Sequence, residues 1–407
     1  MDRAPGFLTV LRNRDFFALW IGHTVSVLGN DFHFIALMWL TYAISGSPLD
    51  LGLVMMFSSL PPLLFGLFMG VYVDLWDRKR LMILCDIFRC FVVLMFPLLY
   101  YFGLLRLAHI YLITFLLSSL QVLFESAQGS FVPNLVARPQ LVVANSISQM
   151  TSQVTNIIGS ALAGILILLI GNINIFYLDS FSFLFSAASL SFITRSGRVA
   201  GATLSVSGRG ILHRMKEGLR LMANTELILI LTITMAIMNF ALGPVNVLFP
   251  ILSEKILQAG AAGFGFLMSG LSFGMLIGAI VVGKVSNRLS KGKLTYWGVL
   301  LMGIFFSLFS LSRNFALSMG LIAISGFFFA APKVLGITIL QDKIPDKIRG
   351  RVLSAQIMLS SLMFPLSMLI SGVFAQYVSV PIILLVAGFI MVLNGIYGLS
   401  SRVVSTV

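Results

Sequence analysis

The sequence predicts an all-α integral membrane protein with about twelve transmembrane helices in two pseudo-symmetric six-helix bundles. Three observations predict it. The 407-residue chain is 58% hydrophobic and only 10% charged. A window of about 19 residues finds about twelve apolar spans, each long enough to cross about 30 Å of hydrocarbon. When the spans are threaded alternately from the inside, every one of the 27 Lys and Arg falls in a terminus or an inner loop, except Arg89, Arg106, Lys255, Arg313 and Lys333. This positive-inside bias sets the orientation and expects both termini in the cytoplasm.

The spans read 16–44, 49–73, 81–103, 107–128, 142–170, 172–194, 225–252, 262–283, 294–312, 315–340, 352–378 and 380–400. Outer connections such as Gly103 to Leu107 and Gly171 to Ile173 are too short for an extracellular domain. The longest polar stretch follows span six. It divides the chain into a first bundle over 1–194, a cytoplasmic linker over 195–224 and a second bundle over 225–407. Within the linker, Ile211, Met215, Leu219 and Met222 recur at helical spacing. They predict an amphipathic helix on the inner leaflet, its cations toward lipid phosphates. Met1 to Asp15 reads as a short basic lead-in, and span one is too long for the apolar core of a cleavable signal.

Composition also excludes classes. The net charge of +13 is spread thinly over the inner loops, which fits a membrane protein better than a nucleic-acid binder. Cys85 and Cys90 match no metal or disulfide pattern and read as core residues. No Gly-rich phosphate loop, metal-spaced cluster or catalytic triad is apparent, so neither an enzyme, nor a cofactor, nor an ATP-driven pump is expected.

The ionisable and amide groups inside apolar spans are the functional candidates, because each costs several kcal/mol unless paired or used. Asp31 lies well inside span one. A carboxylate in apolar surroundings holds a proton more readily than one in water. Asp31 is therefore either a site of proton or substrate coupling or an acid satisfied by a neighbouring helix. His23 shares its face of the helix, whereas His33 does not. Asp86 and Arg89, three apart in span three, either pair together or join a wider network with Glu125 of span four. Lys333, after Pro332, is either a counter-ion, for Glu125 or an acidic substrate, or a snorkelling lysine. Asn145, Gln149, Gln153, Asn156 and Ser160 form one polar stripe on span five, with Asn239 and Asn246 as counterparts on span seven. The stripe lines a cavity or bonds a neighbouring helix.

Internal similarity supports two halves. Span two ends in Gly70, Asp74, Asp77, Arg78, Lys79 and Arg80; span eight ends in Gly283, Asn287, Arg288, Lys291 and Lys293. The span-two segment resembles the signature of the major facilitator superfamily, matching at Gly70, Asp74, Arg78 and Lys79 and departing at Asp77, where a Gly is usual. Three later segments resemble the macrolide-efflux branch of drug:proton antiporters: Arg214-Met-Lys-Glu-Gly218, Leu248-Phe-Pro250, and Gln341 to Ser354. The resemblance covers the whole chain. It implies a monomeric secondary transporter in a bacterial inner membrane, exporting a small lipophilic substrate in exchange for protons, with membrane lipids around it. A narrow lipid-like, siderophore or nutrient substrate is the alternative. The resemblance also implies that span one lines the cavity, that span six with Asp179 is peripheral and structural, and that Gly70, Asp74, Arg78, Lys79 and Glu125, with Asp86 and Arg89, form a cytoplasmic charge latch. The Ile158-Gly-Ser-Ala161 stretch of span five lacks the proline that antiporters of this superfamily often carry there.

Overall fold

The structure is a computed structural model that describes residues 7–73, 76–195, 220, 225–286, 289–344 and 346–401; the side chains of 67–72, 346–351 and 354 lie outside that description. Among the described residues there are helices but no strand, as a lipid setting demands: only a helix satisfies its own backbone there without an edge. A short helix, Phe7–Leu11, precedes twelve long ones. We label these α1 (Arg14–Ser45), α2 (Pro48–Val73), α3 (Arg78–Tyr101), α4 (Leu107–Leu135), α5 (Leu141–Ile170) and α6 (Asn172–Ser191). Then come α7 (Glu226–Ile251), α8 (Gly260–Val285), α9 (Lys291–Leu311), α10 (Phe315–Lys343), α11 (Asp346–Phe374) and α12 (Val380–Ser400). All twelve are long and apolar enough to span a membrane.

Most helices follow the expected spans closely, and one difference matters. α4 continues seven residues past 128, because Gly129, Ser130 and Pro133 lower the hydropathy without breaking the helix. Glu125 therefore stands ten residues from the end of α4, about 15 Å of helix rise, where an end at 128 would leave three. The amphipathic helix expected over Ile211 to Met222 lies outside the described residues, Arg220 apart.

The chain forms two compact units, residues 1–46 with 57–205, and residues 47–56 with 206–407. In the first, Phe16 and Leu19 of α1, Met82 and Cys85 of α3, Phe124 and Phe131 of α4 and Leu190 of α6 build one apolar core. At the basic end of this unit, cations and amides tie helix ends together. Asn13 caps α1 by accepting from the backbone N–H of Asp15 and Phe16, and its Nδ2 donates to Leu135 O at 2.7 Å. Asp77 caps α3 by accepting from Arg80 N at 3.1 Å. That cap gives the acid a local task at the position where the superfamily signature usually has glycine.

In the second unit α8 and α10 cross so closely that the glycines at the crossing admit no side chain. A Cβ on Gly326 would meet the Leu271 carbonyl, and one on Gly274 the Ala323 carbonyl. Tyr296 of α9 is fully buried, its hydroxyl 2.8 Å from Thr234 Oγ1 of α7, which also lies 3.3 Å from Asn394 Oδ1 of α12. The segment 47–56 of α2 packs in this unit, where a Cβ on Gly52 would stand 2.9 Å from Met368 O.

Gly326→Ala is expected to destabilise the second unit by about 1–3 kcal/mol, because the new methyl meets backbone and not a movable side chain. Gly283→Ala, with open space at that position, serves as the control. Thermal unfolding in detergent should show a lower midpoint for the first variant only.

Candidate functional site

Each residue of a helix points about 100° from the last, so a short run can address several neighbours at once. Residues 29–33 of α1 do so inside the first unit. Gly29 faces α6: a Cβ there would stand 2.7 Å from Ser182 Cβ and 2.8 Å from Asp179 Oδ1. Its absence lets Asp179 reach α1. Asn30 faces α3, accepting from Arg89 Nη2 at 3.3 Å. Asp31 faces α5, where Asn156 Nδ2 donates to its Oδ1 at 3.0 Å. His33 faces α6, its Nδ1 2.8 Å from Asp179 Oδ2. The imidazole meets the rings of Phe96 and Phe176 edge-on at 5.7 and 5.2 Å between centroids.

Arg89 is the hub of this arrangement. The residue is 3% exposed, and Asp86 and Asp179 beside it are 0% and 1% exposed. Nη1 donates to Asp86 Oδ1 at 3.3 Å, and Nη2 also donates to Gln121 Oε1 of α4. The guanidinium lies over the Phe183 ring at 4.1 Å and 5.6 Å from the Phe124 centroid, so aromatic faces cover the flat sides that no hydrogen bond can use. Gln121 Nε2 in turn donates to Glu125 Oε1. Asp86, Arg89, Gln121 and Glu125 therefore form one chain across α3 and α4, with Asn30 attaching it to α1.

Asp31 is less completely paired. Among the described residues its Oδ2 is buried without a hydrogen-bond partner. It is seated against Gly159 of α5, where a Cβ would lie 2.7 Å from Asp31 Cβ. Toward the basic end, α1 and α5 enclose an apolar groove of about 470 Å³ lined by Trp20, Thr24, Leu28, Met150, Val154 and Ile158. Trp20 Nε1 donates to Thr151 Oγ1 across its floor at 3.0 Å. By helical spacing Trp20, Thr24 and Leu28 share the face of α1 that Asp31 continues.

The other sequence candidates are dispersed. His23 stacks on Phe124 at 6.3 Å. On α5, Asn145, Gln149 and Asn156 are exposed, Gln153 is half-buried and Ser160 is buried. Arg78 Nη1 donates to Ser130 O of α4 at 3.0 Å. Lys79 Nζ donates to Ser191 O and Ile193 O at 3.0 and 2.6 Å, where a cation suits the carbonyl end of α6. Gly70 belongs to α2, and Asp74 lies outside the described residues. In the second unit Asn239 Nδ2 donates to Ser360 O at 2.9 Å, Asn246 is half-buried, and Lys333 is exposed with Nζ 5.8 Å from the Phe329 centroid. Among the described residues this unit buries hydroxyls and amides but no Asp, Glu, Lys or Arg. Sequence reasoning had not singled out Gly29, Asn30, Gln121 or Trp20. A polar residue within an apolar span was the available signal for Asn30 and Gln121.

The family model described as "Transmembrane secretion effector" (MFS_3) matches residues 6–406. The chain belongs to the major facilitator superfamily. It is a multi-pass membrane transporter and not an enzyme. Similar proteins include the MFS-type transporter YfiS of Bacillus subtilis, 28% identical over 398 residues, 94% of this chain and 92% of that one. Macrolide efflux protein A of Streptococcus pyogenes is 23% identical over 93% of each chain. The multidrug efflux pump Tap of Mycolicibacterium fortuitum is 25% identical over 90% of this chain and 91% of that one. Among solved structures, the nucleoside transporter NupG (D323A mutant) superposes with a TM-score of 0.78 at 12% identity, covering 95% of this chain and 99% of that one. That likeness shows the shared fold.

Arg89→Ala would leave Asp86 buried without its cation, a loss of about 3–5 kcal/mol. Adding Asp86→Asn should recover part of it. Unfolding midpoints of the single and double variants check this, and an unshifted Arg89→Ala would contradict it.

Proposed function

We propose that this transporter exports lipophilic compounds, macrolide-like ones among them, in exchange for protons by alternating access. It does so in the plasma membrane of a bacterium, as a monomer surrounded by lipid, with both termini cytoplasmic. The names of the macrolide and multidrug efflux relatives support the substrate class. The observation that carries the proton reading is Asp31: a membrane-depth carboxylate held by Asn156 through one oxygen, with the other unpartnered among the described residues. The unpartnered oxygen has a place for a proton, and among the described residues no cation stands within ion-pair distance of Asp31 as Arg89 does of Asp86. The neutral acid forms when the site is open to the outside, and it loses its proton to the cytoplasm. The half-open polar stripe of α5, from Asn145 to Asn156, supports a water-facing wall beside it.

Gly70, Asp74, Arg78, Lys79 and Glu125, with Asp86 and Arg89, are the proposed cytoplasmic latch. The bonds of Arg78 and Lys79 to carbonyls of α4 and α6 anchor the α2–α3 turn to its own unit, so that the turn moves as part of a rigid body. Residues 195–224 are the proposed linker between bundles 1–194 and 225–407.

Cells making the protein should extrude fluorescent macrolides and lipophilic dyes, and a protonophore should stop them. Asp31→Asn should abolish the protonophore-sensitive part while the protein still reaches the membrane. Normal coupling in that variant would reject the assignment of Asp31, and no extrusion of any compound would move the reading to a narrow lipid-like or nutrient substrate.

In the latch, Lys79→Ala should free the end of α6. Spin-label distances between the α2–α3 turn and Ser191 are expected to broaden, and an unchanged distribution would count against it.

A further inference from the structure

Lys333 is a charged group that neither the proton reading nor the latch uses. It stands ten residues before the end of α10, farther from a helix end than any other charged residue of α7 to α12. A charge turned to hydrocarbon at such a place is costly, so the direction of the side chain decides its use. The neighbours of Lys333 on the helix give that direction. Gly336, three residues on, faces α7, where a Cβ on it would meet Met235 Cε. Ala330, three residues before, faces α8, its Cβ 2.8 Å from where a Cβ on Gly278 would stand. By the helical step each lies about 60° to one side of Lys333, which therefore points between α7 and α8. Ala331 and Pro332 turn instead to Gly298 of α9. The exposed apolar Leu317 and Ile324, which suit lipid, lie on the opposite side of α10. Lys333 is exposed, and among the described residues no carboxylate stands within ion-pair distance of its Nζ. Nζ lies 5.8 Å from the centroid of Phe329, which is half-buried one turn before it, and the exposed Ile337 follows one turn after. The face presents an unneutralised ammonium between two apolar side chains. That arrangement suits a ligand with an anionic group on an apolar body.

We propose that Lys333 is a specificity-determining residue that binds the carboxylate of a lipophilic organic acid, whose apolar body lies along Phe329 and Ile337. Nζ donates charge-assisted hydrogen bonds to the carboxylate, and the two flanking side chains take up the apolar part. The inference rests on the efflux reading and adds a substrate class to it, amphiphilic acids beside macrolide-like compounds. A lipid phosphate would offer Nζ a similar oxygen, and the test separates the two.

The test is equilibrium binding to the purified protein in phosphatidylcholine nanodiscs, with no gradient present. The probes are pyrenebutanoate, its neutral amide and a fluorescent macrolide. Lys333→Gln should weaken pyrenebutanoate binding about ten-fold or more and leave the amide and the macrolide within about two-fold. Lys333→Arg, which keeps the charge, should retain most of the affinity for the acid. Equal weakening of acid and amide, or no weakening of the acid, would overturn the inference while leaving efflux standing. Wild-type protein that binds the macrolide but not the acid would do the same. If phosphatidylglycerol in the discs lowers wild-type binding of the acid to the level of Lys333→Gln, Lys333 is a headgroup site and the inference is overturned. Wild-type protein that binds none of the three probes would remove the efflux reading and the inference with it.

Discussion

A guanidinium buried to 3% exposure in an apolar bundle has to be neutralised and hydrogen-bonded from several sides, or the bundle does not close around it. Arg89 meets that demand by drawing on four helices: Asp86 from its own α3, Asn30 from α1, Gln121 from α4 and the Phe183 ring from α6. These contacts fix the rotation of α1 about its axis. With Asn30 turned to Arg89, the helical 100° step points Asp31 at α5 and His33 at Asp179. The position of the acid proposed to carry the proton is thus a consequence of where the arginine is held. A change at Arg89 that spared folding would still be felt at Asp31.

The two units handle polar groups differently. Among the described residues the first buries Asp15, Arg78, Asp86, Arg89 and Asp179, while the second buries hydroxyls and amides such as Thr234, Ser360 and Asn394. Neutral hydrogen bonds hold helices together without a charge that must be moved or balanced. Fixed charges respond to a proton or a ligand, since each changes the electrostatic balance of the whole cluster. The first unit is therefore the place where the chemistry of coupling is proposed, and the tight glycine crossings of α8 and α10 give the second the character of a stiff body.

Much of the fold was legible because lipid leaves the backbone few choices: a long apolar run must be a helix, and hydropathy alone finds it. The end of α4 was not legible, because Gly129, Ser130 and Pro133 look like a terminus while the helix runs on to Leu135. An end at 128 would leave Glu125 three residues from it, whereas the end at Leu135 leaves it ten residues away. Asp86 and Arg89 could be paired from their spacing, since both lie on one helix. The pairing of His33 with Asp179 and of Asn30 with Arg89 could not, because it depends on how separate helices are rotated and staggered. Asp179 was read as structural, and its Oδ2 lies 2.8 Å from His33 Nδ1 of α1. The glycines that permit the approach, Gly29 and Gly159, carry no signal of their own in a sequence with 36 glycines.

The central claim is that Asp31 exchanges its proton against the ligand. The most direct measurement is proton release into weakly buffered solution when an exported macrolide or dye is added to the purified protein in detergent. The account predicts a stoichiometric release from the wild type that Asp31→Asn abolishes, with ligand binding retained. Equal release from both proteins would place the exchanged proton elsewhere and contradict the account.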